Sequence, residues 1–150
     1  MSHKNYSKYK EKDYDKVIKE DIEYEVDREK ICPFLIRIFY NENNFSSLKD
    51  FENEQLPSQE LHIYTWKDAN LRELTNLIQG ELQIPTAIKF KYSCLYYNSK
   101  GILTRIDLGD VSLNKNTPSE LRTLHSLNFA IGAYIDINIV TSEKGYYKNY

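Results

Sequence analysis

Only one stretch of this chain repeats its apolar residues firmly at helical spacing, and that single stripe limits the folds open to it. Within TWKDANLRELTNLIQGELQIP (65–85), Leu71, Leu74, Leu77 and Ile78 recur at about 3.6 residues per turn and form one apolar side. Thr65 or Asp68 is placed to cap the first turn by accepting from free backbone N–H groups, and Gly80 with Pro85 marks the end. A lone amphipathic helix must set its stripe against another apolar surface. The flanking segments supply one as strands.

Upstream, ICPFLIRIFY predicts a first strand over 34–40, with Pro33 tolerated at its start because no ladder donor is lost there. Strict alternation puts Phe34, Ile36 and Ile38 on one face and Leu35, Arg37 and Phe39 on the other. ELHIYTW predicts a second strand, with Leu61 and Ile63 opposite His62, Tyr64 and Trp66. Between them, 41–57 is a long polar connection in which SSLKDF forms at most a short helical turn. Downstream, AIKFKYSCLYY alternates Ile88, Phe90, Tyr92 and Cys94 against Lys89, Lys91 and Ser93. A glycine-containing loop, NSKG (98–101), turns it into ILTRIDL as a fourth strand. Residues 114–128 remain ambiguous, with a short helical turn around SELRTLHSL. AIGAYIDINIV closes the pattern as a buried strand alternating Ile135, Ile137 and Ile139 with Tyr134, Asp136 and Asn138.

Two strands, one helix, two strands and a last strand predict an α+β domain of the ubiquitin-like β-grasp type. It would be a mixed five-stranded sheet with one main helix on one face. The length of 150 residues suits one such domain without disulfide or metal staples. Residues 1–30 are dense in both signs of charge and poor in aliphatics, so we expect a flexible N-terminal tail, the domain over 31–140, and a flexible tail over 141–150. With the helix on one face, the reverse face carries Leu35, Phe39, His62, Tyr64 and Trp66, and such an apolar patch predicts a partner. Two competing placements exist: Trp66 packs under the helix end as core, or 114–128 or the tail folds back over Leu35 and Phe39.

Other classes of function fit poorly. The three histidines, His3, His62 and His125, are scattered, and no nucleophile elbow, phosphate-cradling glycine loop or metal-ligand spacing accompanies them. No catalytic residue, cofactor or metal is therefore expected; Asp107 and Asp110 read as a strand-end turn. A formal charge of −2 gives no bulk attraction to nucleic acid. The exposed aromatics could make the sheet a single-stranded RNA-binding module, but one helix and no RNP-like segment argue against it. A covalent modifier needs a terminal diglycine, and no Gly-Gly occurs. MSHKNYSKYKEKDYDK is not a secretory signal, and no apolar run is long enough to span a bilayer, so an intracellular protein with reduced, buried Cys32 and Cys94 is expected.

Three segments point further. VDREKICPFLIRIFY (26–40), ELHIYTWKDANLRELTNLI (60–78) and FAIGAYIDINIV (129–140) resemble, in order, stretches of the small Sin-three-associated polypeptide family. The resemblance implies a ubiquitin-like, non-enzymatic nuclear adaptor that binds proteins in two kinds of assembly. One is a Sin-three histone-deacetylase corepressor. The other is a splicing-associated complex, linked to the exon junction complex, with Acinus-like and SR-related RNA-binding protein segments. Nucleic acid would be reached only indirectly, and neither a membrane nor a small-molecule substrate is implied. Within DREK (27–30), the resemblance adds Asp27 and Arg28 to the candidate protein-binding residues.

Overall fold

A computed structural model of the chain describes residues 19, 23–52 and 55–142. Most of the tail expected over 1–30, and nearly all of that over 141–150, lies outside the described residues. Five strands form the frame: β1 (Phe34–Glu42), β2 (Glu60–Thr65), β3 (Ala87–Tyr97), β4 (Leu103–Ser112) and β5 (Tyr134–Thr141). A short helix, α1 (Leu48–Glu52), lies between β1 and β2, the main helix α2 (Leu71–Glu81) between β2 and β3, and a 3-10 turn (Pro118–Leu121) after β4. The spatial order is β2-β1-β5-β3-β4, with β1 and β5 parallel and the other neighbours antiparallel. This is an α+β fold with a mixed five-stranded sheet and one main helix, consistent with the ubiquitin-like expectation.

The helix-side core follows the alternation. Ile36 and Ile38 of β1, Ile63 of β2, Phe90 and Tyr92 of β3, and Ile135, Ile137 and Ile139 of β5 meet Leu71, Leu74 and Ile78 of α2. Each fully buried aliphatic contributes about 1.5–3 kcal/mol relative to exposure. Inside this core the hydroxyls of Thr75 and Tyr92 share a 2.6 Å hydrogen bond, which satisfies two polar atoms that burial would otherwise penalise. Burial pushes the Tyr92 phenol well above its ordinary value.

Several local expectations change. The helix cap is Asn70 instead of Thr65 or Asp68; its side chain accepts from the Glu73 N–H at 2.8 Å. The buried stripe is Leu71, Leu74, Thr75 and Ile78, while Leu77 is exposed. At 100° per residue, Leu77 lies well off the line through positions 71, 74 and 78. Gly80 lies inside the last turn, and the cap is Leu82. Cys94 is buried, but Cys32 is exposed just ahead of β1. The 98–101 hairpin forms as expected: the Asn98 side chain accepts from the N–H groups of Lys100 and Ile102, and Gly101 takes φ 75°.

Residues 114–128 resolve into a brace along α2. Leu71 N–H donates to the Arg122 carbonyl and Leu124 N–H to that of Ala69, while Arg72 pairs with Glu120. Leu124 is buried in the helix-side core. This segment therefore does not cover the reverse face.

Candidate protein-docking site

The reverse face is divided. In its middle, Phe39 is fully buried in a second apolar cluster with Phe51, Leu95 and Leu103. Phe51 comes from α1, so the roof is supplied by the β1–β2 connection. The Phe39 and Phe51 rings meet edge to face at 5.0 Å, and Tyr134 closes on Phe39 at 5.4 Å. Phe39 thus has no surface to offer a partner, which corrects its expected place on an open face. It also removes the ring a nucleobase would need for stacking at the centre of the sheet.

A buried ion pair pins the roof. Asp136 on β5 is fully buried and accepts from Ser46 N–H at 2.9 Å, Ser46 Oγ at 2.8 Å and Arg105 Nη1 at 2.7 Å. Arg105 also donates to Ser93 Oγ and to the Ser46 carbonyl, and its guanidinium lies 4.8 Å from the Phe45 ring centroid. Burying a charge is tolerable only with such full satisfaction. The connection is therefore fastened at Ser46 and plugged at Phe51. Strand alternation reveals neither, although Leu48 and Phe51 at i, i+3 and a lone Asp136 in an apolar strand are signals of them.

Toward the other end of β1 the same face is bare. Leu35 and Tyr64 are cross-strand partners, so their side chains stand together. Tyr64 is 64% exposed and Leu35 36%. β2 is also a sheet edge, with no neighbouring strand on its outer flank among the described residues. The next row is polar: Arg37 opposes His62, and both bind Glu60, His62 Nε2 lying 2.9 Å from Glu60 Oε1. The Arg37 hydrogen bond, with a smaller share from His62, holds the Glu60 carboxyl below its ordinary value despite partial burial. That bond in turn raises Arg37. Arg37 also reaches over the Phe39 and Tyr134 rings, at 5.7 and 5.4 Å. It marks the border between the roofed and bare halves.

Trp66, Asp27 and Arg28 form a different feature. Trp66 is partly buried and donates its indole N–H to the Ile31 carbonyl at 2.7 Å. The Arg28 guanidinium sits 4.8 Å from the Trp66 ring centroid and bonds both Asp68 and Glu73. Bonds to Glu73 first and Asp68 second raise Arg28 further above its ordinary value. Asp27 builds the turn: its carbonyl accepts from Lys30 and Ile31, and its carboxylate from Glu29 N–H. Of the seven sequence-predicted residues, Leu35, Tyr64 and His62 share the bare end. Asp27 and Arg28 belong to the segment that precedes β1, Trp66 follows β2 and packs against that segment, and Phe39 is internal.

Among the described residues no group of three His, Cys, Asp or Glu could hold a metal ion, and no helix is long and apolar enough to cross a membrane. Cys94, pushed up to about 11 by burial, is a protonated thiol at neutral pH. Lys67 is lowered by burial and donates to the Phe129 carbonyl.

The comparisons with known proteins agree with the segments that first suggested a family. The model of the family described as Sin3 associated polypeptide p18 (SAP18) matches residues 25–139. Proteins named histone deacetylase complex subunit SAP18 are similar to this chain. The Arabidopsis thaliana protein is 36% identical over 120 residues, covering 76% of this chain and 78% of that relative. The Homo sapiens protein is 36% identical over 128 residues, covering 81% and 82%. The Drosophila melanogaster protein is 32% identical over 119 residues, covering 77% and 79%. With the family model matching residues 25–139 and relatives 36% identical over more than three quarters of the chain, the chain belongs to the SAP18 family.

Proposed function

We propose that this protein is a non-enzymatic adaptor of a nuclear histone-deacetylase assembly, and that it grips extended partner segments at the Leu35–Tyr64 end of its sheet. The single observation that carries the reading is the bare Tyr64 ring beside Leu35 at a free sheet edge, on a chain whose relatives are named as deacetylase-complex subunits. An edge strand recognises an extended peptide through main-chain hydrogen bonds, and a flanking apolar ledge adds side-chain selectivity. A few aromatic anchors then dominate affinity. Corepression is supported by the relatives' names. Membership of a splicing-associated assembly with Acinus-like and SR-related proteins is supported by the sequence resemblance and uses the same adaptor property.

The test uses the full chain as immobilised bait in nuclear extract, with histone deacetylase activity measured in the washed eluate. Retention of that activity well above an unrelated bait of equal charge is the expected result. Activity no higher than the control overturns the adaptor reading.

A further inference from the structure

Residues 24–31 do not leave the domain; they cross the start of α2. Four bonds fix Arg28 there. Its Nε and Nη2 reach Asp68 Oδ1 at 3.1 and 2.8 Å, and Nη1 and Nη2 reach Glu73 Oε1 and Oε2 at 2.7 and 3.0 Å. The Val26 N–H donates to the second Asp68 oxygen at 2.9 Å. At the far end Tyr24 stacks on His125, with ring centroids 3.8 Å apart and planes 3° from parallel. At the near end the Ile31 carbonyl receives the Trp66 indole N–H. Ile31 is 55% exposed, so apolar burial holds this end weakly. Charge and planar stacking hold the segment instead.

We propose that residues 24–31 are a strap latched by Arg28, and that its closed position sets Ile31 and Trp66 as the end wall of the Leu35–Tyr64 ledge, thereby controlling partner affinity. This rests on the docking reading above. The β1–β2 pairing ends on Phe34 and Thr65, one step beyond Leu35 and Tyr64; Trp66 is the next residue after it and Ile31 lies three before it, so the hydrogen bond between them sits at the Leu35–Tyr64 end of the strand pair. Arg28 is then a positioning residue: it touches Asp68, Glu73 and Trp66 and acts on the ledge through Ile31. A bidentate, stacked guanidinium is a geometry that lysine cannot reproduce. Because Arg28 is partly exposed, its pairs weaken as salt rises.

The chain contains one tryptophan, so Trp66 emission reports the strap directly. Arg28→Ala in the full chain is expected to raise acrylamide quenching about twofold, with Arg28→Lys between it and the parent. Amide exchange of residues 24–31 should accelerate in step. Added NaCl should move the parent toward the Arg28→Ala value and leave that variant nearly unchanged. Deacetylase activity captured from nuclear extract should fall about fivefold in Arg28→Ala and less in Arg28→Lys. Unchanged quenching and exchange in Arg28→Ala overturn the latch. Increased quenching with undiminished capture shows that the strap does not govern the ledge and also overturns it. The docking reading fails separately, through undiminished capture by Tyr64→Ala, in which Arg28 and the strap are intact.

Discussion

The two halves of the reverse face share strand β1 and meet opposite fates. Phe39 and Leu35 sit on one side of β1, four residues apart, yet Phe39 is sealed under Phe51 while Leu35 stands bare beside Tyr64. The difference is the loop above them. At the roofed half Asp136 and Arg105 fasten the β1–β2 connection to the sheet through Ser46. At the bare half Leu35 and Tyr64 stand exposed beyond that roof. An apolar strand face is thus left open to solvent only where no fastening brings the chain's own connection across it.

The sharpest way to break this comparison is to unfasten the roof. Arg105→Met should cost about 3–5 kcal/mol in urea unfolding, because it strands the buried Asp136 carboxylate. Next, Phe51→Ala should cost about 3 kcal/mol by leaving a cavity over Phe39, again read from the denaturation midpoint. Tyr64→Ala should sit within about 0.5 kcal/mol of the parent, since its ring is mostly in solvent. A large loss there would erase the distinction between the halves.

The border between the halves can be titrated. Glu60 is depressed below its ordinary value of 4.5, mainly by Arg37, so its ion pair stabilises the fold at neutral pH. That contribution is full above about pH 4.5 and is lost as pH falls through the depressed value. Glu60→Gln should accordingly flatten the pH dependence of stability in this acid window by a small amount. The smallest effect is chemical: at pH 8 a thiol reagent should modify exposed Cys32 in the native protein and spare Cys94, whose thiol is buried and raised to about 11. Both should react once the chain is unfolded.

The sheet and its helix side were legible because period two and period 3.6 are direct consequences of backbone geometry. Ile36, Ile38, Ile135, Ile137 and Ile139 all fall where alternation puts them. The roof was not legible in the same way. Alternation assigns Phe39 to a face, but nothing in a single strand states what lies over that face, and α1 is only five residues of a polar connection. Asp136 reads as an ordinary outward residue of an alternating strand; its partner Arg105 lies on β4, beyond the intervening β3 and 31 positions earlier. Arg28 likewise reads as part of a solvated charge run until Asp68 and Glu73, 40 and 45 residues later, are brought to it. Asn70 was hidden among several residues able to cap α2, and only the backbone path selects one.

The most direct test compares capture of deacetylase activity from nuclear extract by the parent chain and by the double variant Leu35→Ala with Tyr64→Ala, at matched amounts of folded bait. Loss of most of the captured activity, with an unfolding midpoint close to the parent's, is the expected result. Undiminished capture by that variant would contradict the assignment of the bare end of the sheet as the place where partners dock.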